Sequence, residues 1–178
     1  MAIGNLANGV RTLVDSLGAL VGFAGPAQDF GAVVALGQNH VAFTTPLDTN
    51  ENVAFSLVIP AGLMGPNDTL RVHYKATMTN NANAKTFIVK LGGTTFSSAP
   101  LPSVASTMPT VTISNRGSVA SQIGSVNGTD RTFGTTSALT TGTVNMANAQ
   151  TLTVSATKGT GTDSIVIESV MVELVRGA

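Results

Sequence analysis

From Leu70 to Met78 every second residue is apolar (Leu70, Val72, Tyr74, Ala76, Met78), and Arg71, His73, Lys75 and Thr77 fill the positions between. A period of two puts those rows on opposite faces of an extended chain, so the segment predicts a half-buried strand. The same alternation runs through Val53, Phe55, Leu57 and Ile59 before Pro60, and through Phe87, Val89 and Leu91 before Gly92-Gly93. It returns at Val111 and Ile113, and at Leu152, Val154 and Ala156. Turn chemistry separates these runs: Gly65-Pro66-Asn67-Asp68, Asn80-Asn81-Ala82-Asn83, Asn127-Gly128 and Lys158-Gly159-Thr160-Gly161. Ser164 to Val175 differs in being apolar on both faces (Ile165, Val166, Ile167, Val170, Met171, Val172), which predicts a strand in the middle of a sheet.

The predicted strands are 33–36, 40–45, 52–59, 70–79, 86–91, 110–114, 152–156 and 165–175. About eight strands with no helical pattern between them imply an all-β fold, an antiparallel β-sandwich of jelly-roll-like type. Ser114 to Gln150 is rich in Ser, Thr, Gly and Asn with scattered apolar residues. One or two edge strands and a long surface loop are expected there.

Before Gly25-Pro26 the period changes. Ile3, Leu6, Ala7, Val10, Leu13, Val14, Leu17, Leu20 and Val21 recur at steps of three and four, the spacing of one helix face. Ile3, Val10 and Leu17 form one heptad column, and Leu6, Leu13 and Leu20 another. Gly4, Gly9, Gly18 and Gly22 oppose the helix, each costing about 1 kcal/mol relative to Ala in a helix interior. A short amphipathic helix or arm over residues 1–25 is therefore expected to form by docking its stripe on its own domain, on sister copies or on another partner. The expected organisation is this arm followed by a β-sandwich domain over 26–178, with Ile3, Leu6, Val10, Leu13, Leu17 and Leu20 as the candidate assembly interface.

Composition narrows the function. Only 10% of the 178 residues are charged, nine basic against nine acidic, with no Cys and no Trp. With 43% hydrophobic residues this is no disordered composition. It supplies no basic field for nucleic acid, while few charges and zero net charge favour self-association. The longest apolar stretch, Leu17 to Ala24, is interrupted by Gly18 and Gly22 and falls far short of the roughly 20 residues that span a bilayer, so no membrane partner is expected. Arg11 and Asp15 inside the N-terminal segment also argue against a secretion signal.

Candidate chemistry is sparse. His73 lies on the polar face of its strand between Arg71 and Lys75 and reads as a solvated histidine; His40 stands at a strand start without further ligands at metal spacing. The acids are dispersed, and Asp48, Glu51 and Asp68 read as turn formers before they read as calcium ligands. There is no Gly-x-Ser-x-Gly elbow, and Gly159-Thr160-Gly161 lies between strands, where it makes a turn and no phosphate cradle. Asn67-Asp68-Thr69 and Asn127-Gly128-Thr129 match the glycosylation triplet, which is common by chance. With one Tyr and no Trp the aromatic platform usual for sugars or single strands is weak. No catalytic residue, metal or cofactor is expected.

Several runs carry a resemblance: Ile59-Pro60-Ala61-Gly62, Asp68-Thr69-Leu70-Arg71-Val72, and Thr79-Asn80-Asn81-Ala82-Asn83-Ala84-Lys85-Thr86-Phe87-Ile88-Val89-Lys90-Leu91-Gly92-Gly93-Thr94-Thr95. Ser114-Asn115-Arg116-Gly117-Ser118 with Ser121-Gln122, and Ile167-Glu168-Ser169-Val170-Met171-Val172-Glu173-Leu174, extend it. From Ile59 to the C-terminus the chain resembles virion structural proteins of tailed bacteriophages, of the jelly-roll decoration (cement) type. The resemblance implies a jelly-roll-like sandwich in the particle and no catalytic residue. The expected function is a capsid decoration protein, a homotrimer on the phage major capsid protein. It would be made in the host cytoplasm and placed on the capsid exterior, stabilising the head by binding its assembled state. The alternative is a tail or head fibre component that recognises the host surface and turns loops such as Thr129 to Asn148 outward.

Overall fold

The computed structural model of the chain describes residues 11–14, 20–24, 33–126 and 139–177. Two sheets are built from β3 (Val33–Asn39), β5 (Asn52–Ile59), β6 (Thr69–Met78), β7 (Lys85–Leu91), β8 (Thr94–Pro100), β10 (Thr110–Asn115), β13 (Gln150–Lys158) and β14 (Ile165–Val175). One runs β10-β6-β14-β3 and the other β5-β13-β7-β8, with antiparallel pairing throughout. Taken in chain order as first to eighth, these strands lie sixth-third-eighth-first and second-seventh-fourth-fifth. Every connection crosses between sheets except the β7–β8 hairpin, and that interleaving is the strand order of a jelly roll.

The remaining strands decorate this frame. β4 (Phe43–Thr44) pairs with β14 and β9 (Ser106–Thr107) with β6. β11 (Gln122–Val126) and β12 (Leu139–Gly142) continue the first sheet beyond β10. The expected strand at 40–45 is thus reduced to a two-residue pairing. Of the one or two edge strands expected inside Ser114–Gln150, β12 is the edge and β11 joins it to β10. Strand β8 was missed by alternation, because Thr94-Thr95-Phe96-Ser97-Ser98-Ala99-Pro100 carries few apolar residues. The turn before it was the better signal: Gly92 and Gly93 have φ of 55° and 78°, the two left-handed positions of a tight hairpin turn that only glycine adopts without strain.

The N-terminal segment departs from expectation where it is described. β1 (Arg11–Val14) and β2 (Leu20–Ala24) pair antiparallel in a separate two-stranded ribbon, with Leu13 opposite Gly22 and Val14 opposite Leu20. These residues are strands, not the expected helix. Val14, Val21 and Phe23 favour extended backbone, and Gly18 and Gly22 weaken a helix through the same stretch. The rest of the expected helix or arm, residues 1–10, 15–19 and 25, lies outside the described residues.

The core lies between the sheets. Leu70, Val72, Tyr74 and Ala76 of β6, with Val111 and Ile113 of β10, face Phe87, Val89 and Leu91 of β7 and Leu152, Val154 and Ala156 of β13, all buried. Each fully buried side chain of this size contributes about 1.5–3 kcal/mol relative to exposure, and Tyr74 and Phe87 stack with ring centres 5.5 Å apart. Strand β14 does lie in the middle of its sheet, between β6 and β3. Its register shifts between Ile167 and Ser169, so Ile165 and Ile167 point inward before the shift, and Val170, Val172 and Leu174 after it. That one-residue slip changes the parity of the inward row, and half-buried Val166 and Met171 on the outer row complete the apolar appearance of both faces.

Glycines let the sheet edges close. A Cβ on Gly124 of β11 would come within 2.8 Å of Phe96 Cδ1, and one on Gly142 of β12 would overlap the same ring. The fully buried Phe96 of β8 therefore seals one side of the sandwich. On the other side a Cβ on Gly37 of β3 would stand 3.1 Å from Leu57 Cδ1 of β5.

Candidate assembly surface

One end of the sandwich is closed by charge. Lys85 and Lys158 end the inward rows of β7 and β13, stand opposite each other in register, and are buried. Two cations facing across a strand pair repel, but each ammonium here is surrounded by oxygen. Lys85 Nζ donates to Asn81 O at 3.1 Å, Asn81 Oδ1 at 2.7 Å and Asn83 O at 2.7 Å. Lys158 Nζ donates to Pro46 O at 2.6 Å, Gly161 O at 3.2 Å and Asp163 O at 2.8 Å. The Asp163 carboxylate accepts from the Asn81 and Asn83 amides at 2.7 and 3.1 Å. The Asn81 hydrogen bond, then that of Asn83, with the nearby lysine charges, holds its pKa below the usual aspartate value against the opposing cost of burial. The loops after β4, β6 and β13 are thus clamped together, and Ser103 N donating to Asn81 O at 2.7 Å adds the loop after β8.

Other acids among the described residues are also occupied. Asp48 accepts from Asn50 N and Asn52 Nδ2, both at 3.0 Å, the turn-forming role expected of it; the Asn52 bond is the main cause of its lowered pKa. Glu51 accepts from Lys90 and from Ser155 at 2.6 Å, and these bonds lower its pKa in that order. Asp68 is buried and takes Gly65 N at 2.8 Å, Arg176 Nη1 at 2.7 Å and Gly177 N at 2.9 Å, so it ties the C-terminus to the turn before β6. Beside it Gln122 bridges Asn115 Oδ1 and Val144 O. Among the described residues no group of three or more His, Cys, Asp or Glu side chains could hold a metal ion.

The two histidines, which nothing in the spacing linked, line one shallow concavity of about 260 Å³ with Lys75, Met108, Pro109 and Met171. His73 is more confined than a solvated residue: Nδ1 lies 2.9 Å from Thr110 Oγ1 and Nε2 lies 3.2 Å from Glu173 Oε2. With the ring proton on Nε2 it donates to Glu173 and accepts from Thr110, an arrangement that fixes a ring and presents no nucleophile.

The most unusual surface is the side formed by β3 and β5, the outermost strands of the two sheets. It exposes Val33 (51%), Val34 (46%), Val53 (49%) and Val58 (61%), and Val41 (76%) in the loop that follows β3. Neither strand contains a charged residue (VVALGQN and NVAFSLVI). Neither strand carries the lysine, proline or inward charge that commonly protects such an edge; each has only a bulge, at Leu36 and at Ala54. Uncharged valines on an unpaired edge are a surface suited to association.

Of the expected interface residues, Leu13 and Leu20 fall in β1 and β2, where Leu20 pairs with Val14 and Leu13 with Gly22. Ile3, Leu6, Val10 and Leu17 lie outside the described residues. Of the loop expected to turn outward, residues 129–138 lie outside the described residues; in the remainder Val144 and Met146 are buried, and Met146 N donates to Val119 O at 2.8 Å. Fold and surface together define a jelly-roll β-sandwich with an undefended edge. No protein-family model and no curated protein matches the chain. Among solved structures it is similar to the infectious bursal disease virus VP2 subviral particle, at 12% identity and a TM-score of 0.33, over 95% of this chain and 43% of that one. It is also similar to the structure of the infectious bursal disease virus Gx strain, at 11% identity and a TM-score of 0.29, over 98% and 46%. The chain spans less than half the length of either, and at such scores the jelly-roll assignment rests on the strand order alone.

Proposed function

We propose that the chain is a non-enzymatic virion structural protein, a decoration or cement protein that binds the major capsid protein of a tailed bacteriophage as a homotrimer. The observation that carries this reading is the uncharged, valine-bearing side of β3 and β5 on a closed, clamped sandwich. A molecule whose described acids and buried lysines are bonded within its own fold, and whose edge is left apolar, is built to associate. The resemblance of its Ile59–Gly62 and Thr79–Thr95 runs to phage virion proteins points the association toward a capsid. Binding the assembled shell and not its precursors would stabilise the head by mass action, and three copies on a local three-fold axis would add avidity. The site of action is then the capsid exterior, after synthesis in the host cytoplasm. In this reading the chain divides near Gly25 into an N-terminal assembly segment and the sandwich, and Ile3, Leu6, Val10, Leu13, Leu17 and Leu20 belong to the contact with sister copies or with the capsid. Removing residues 1–24 is expected to abolish co-sedimentation with emptied capsids while leaving the thermal transition of the sandwich in place. Full binding by the truncated chain would overturn the role of the segment.

A further inference from the structure

We propose that strand β2 of one copy adds to the open edge of β3 in a second copy, extending the β10-β6-β14-β3 sheet across a subunit boundary. The inference deepens the assembly role proposed above and rests on it only in requiring more than one copy of the chain.

Two incomplete surfaces carry it. The ribbon of β1 and β2 is a two-stranded sheet, and such a unit is marginal in water unless a further strand or a packed face supports it. Strand β3 has the complementary deficit: among the described residues its backbone is paired on the β14 side only, and its other side is flanked by exposed Val33 and Val34. Among the described residues β2 pairs with β1 alone and β3 with β14 alone, so neither satisfies the other.

Their chemistry matches. Strand β2 reads LVGFA and β3 reads VVALGQN, both without charge, whereas β1 carries Arg11. Adding β2 to β3 buries no unpaired charge, and main-chain hydrogen bonds of the added strand supply the affinity. Residues 25–32 join β2 to β3 and reach roughly 26 Å when extended, which is ample for a neighbouring subunit. The contact joins two different surfaces, so it is heterologous and closes a ring when the rotation between copies permits. That makes it compatible with a trimer without requiring one.

The absence of cysteine makes disulfide trapping clean. Chains carrying Val21→Cys and chains carrying Val34→Cys, distinguished by tag length, are co-expressed and oxidised. A disulfide joining the two chain types is expected, absent when either variant is expressed alone. Val34→Lys in the otherwise unaltered chain is expected to lower the solution mass by light scattering toward a single copy, with its circular dichroism unchanged. A single-copy mass for the unaltered chain would overturn the proposal. So would a Val21→Cys/Val34→Cys double variant that closes its disulfide only within one chain, or an oligomer that survives both Val34→Lys and removal of residues 1–24. A cross-linked oligomer that leaves emptied capsids bare would sustain this contact and overturn the decoration role instead.

Discussion

Lys85 and Lys158 are the residues on which the clamped end of the sandwich depends. Replacing Lys85 by Met keeps the stem that packs in line with Phe87 but leaves Asn81 O, Asn81 Oδ1 and Asn83 O without their shared donor. Among the described residues Asn83 O then has no donor, while Asn81 O and Oδ1 keep Ser103 N and Asn83 N, so losing three charged hydrogen bonds at this half-buried loop is expected to cost about 1–3 kcal/mol of stability. Urea unfolding followed by circular dichroism measures it, and an unchanged midpoint would mean that water solvates those oxygens. Acid should act on the same scale. Glu51 and Asp163 have folded pKa values below their unfolded ones. Their stabilisation is therefore complete above the ordinary carboxylate range and is lost as pH falls through the lowered values. Stability should hold from neutral pH down to about pH 5 and then decline. Glu51→Gln should make that decline shallower, as read from urea midpoints between neutral and acid pH. The alternation Lys85, Phe87, Val89, Leu91 already placed Lys85 on the inward row. Starting the strand at Thr86 concealed it, because a lysine is read as a surface residue until three oxygens are seen around it.

At the scale of elements, the period-two strands were readable because one face of each is packed and the other is wet. Strand β8 was not, since its packing is concentrated in Phe96 and its remaining side chains are small or polar. Gly142 is where that concentration can be tested. A methyl group there would overlap the Phe96 ring, and overpacking of this kind typically costs about 1–3 kcal/mol. Gly142→Ala is expected to lower the unfolding midpoint accordingly. Phe96→Leu should recover part of the loss in the double variant, giving a coupling that separate sites would not show. Failure to couple would mean that β12 shifts away from β8 at little cost. The N-terminal segment misled for a different reason. Spacings of three and four mark a helix only if the backbone tolerates one, and Gly18 and Gly22 with Val14, Val21 and Phe23 bias the same stretch toward the extended ribbon seen over β1 and β2.

For the whole molecule, strand number and low charge sufficed to expect a two-sheet sandwich. The jelly-roll order needed the pairings, because alternation states which face a residue takes and not which strand it meets. The undefended side was equally hidden. VVALGQN and NVAFSLVI read as ordinary strands until both are placed outermost and on the same side of the molecule. That placement turns a β-sandwich into one that asks for partners, and it supports a role in an assembled shell. The proposed decoration role is tested most directly by cryo-electron microscopy of emptied tailed-phage capsids that lack the protein, before and after mixing with the purified chain. Added density at defined local three-fold positions on the outer surface, absent without the protein, is the expected result. Capsids that remain bare at saturating protein would contradict the decoration role.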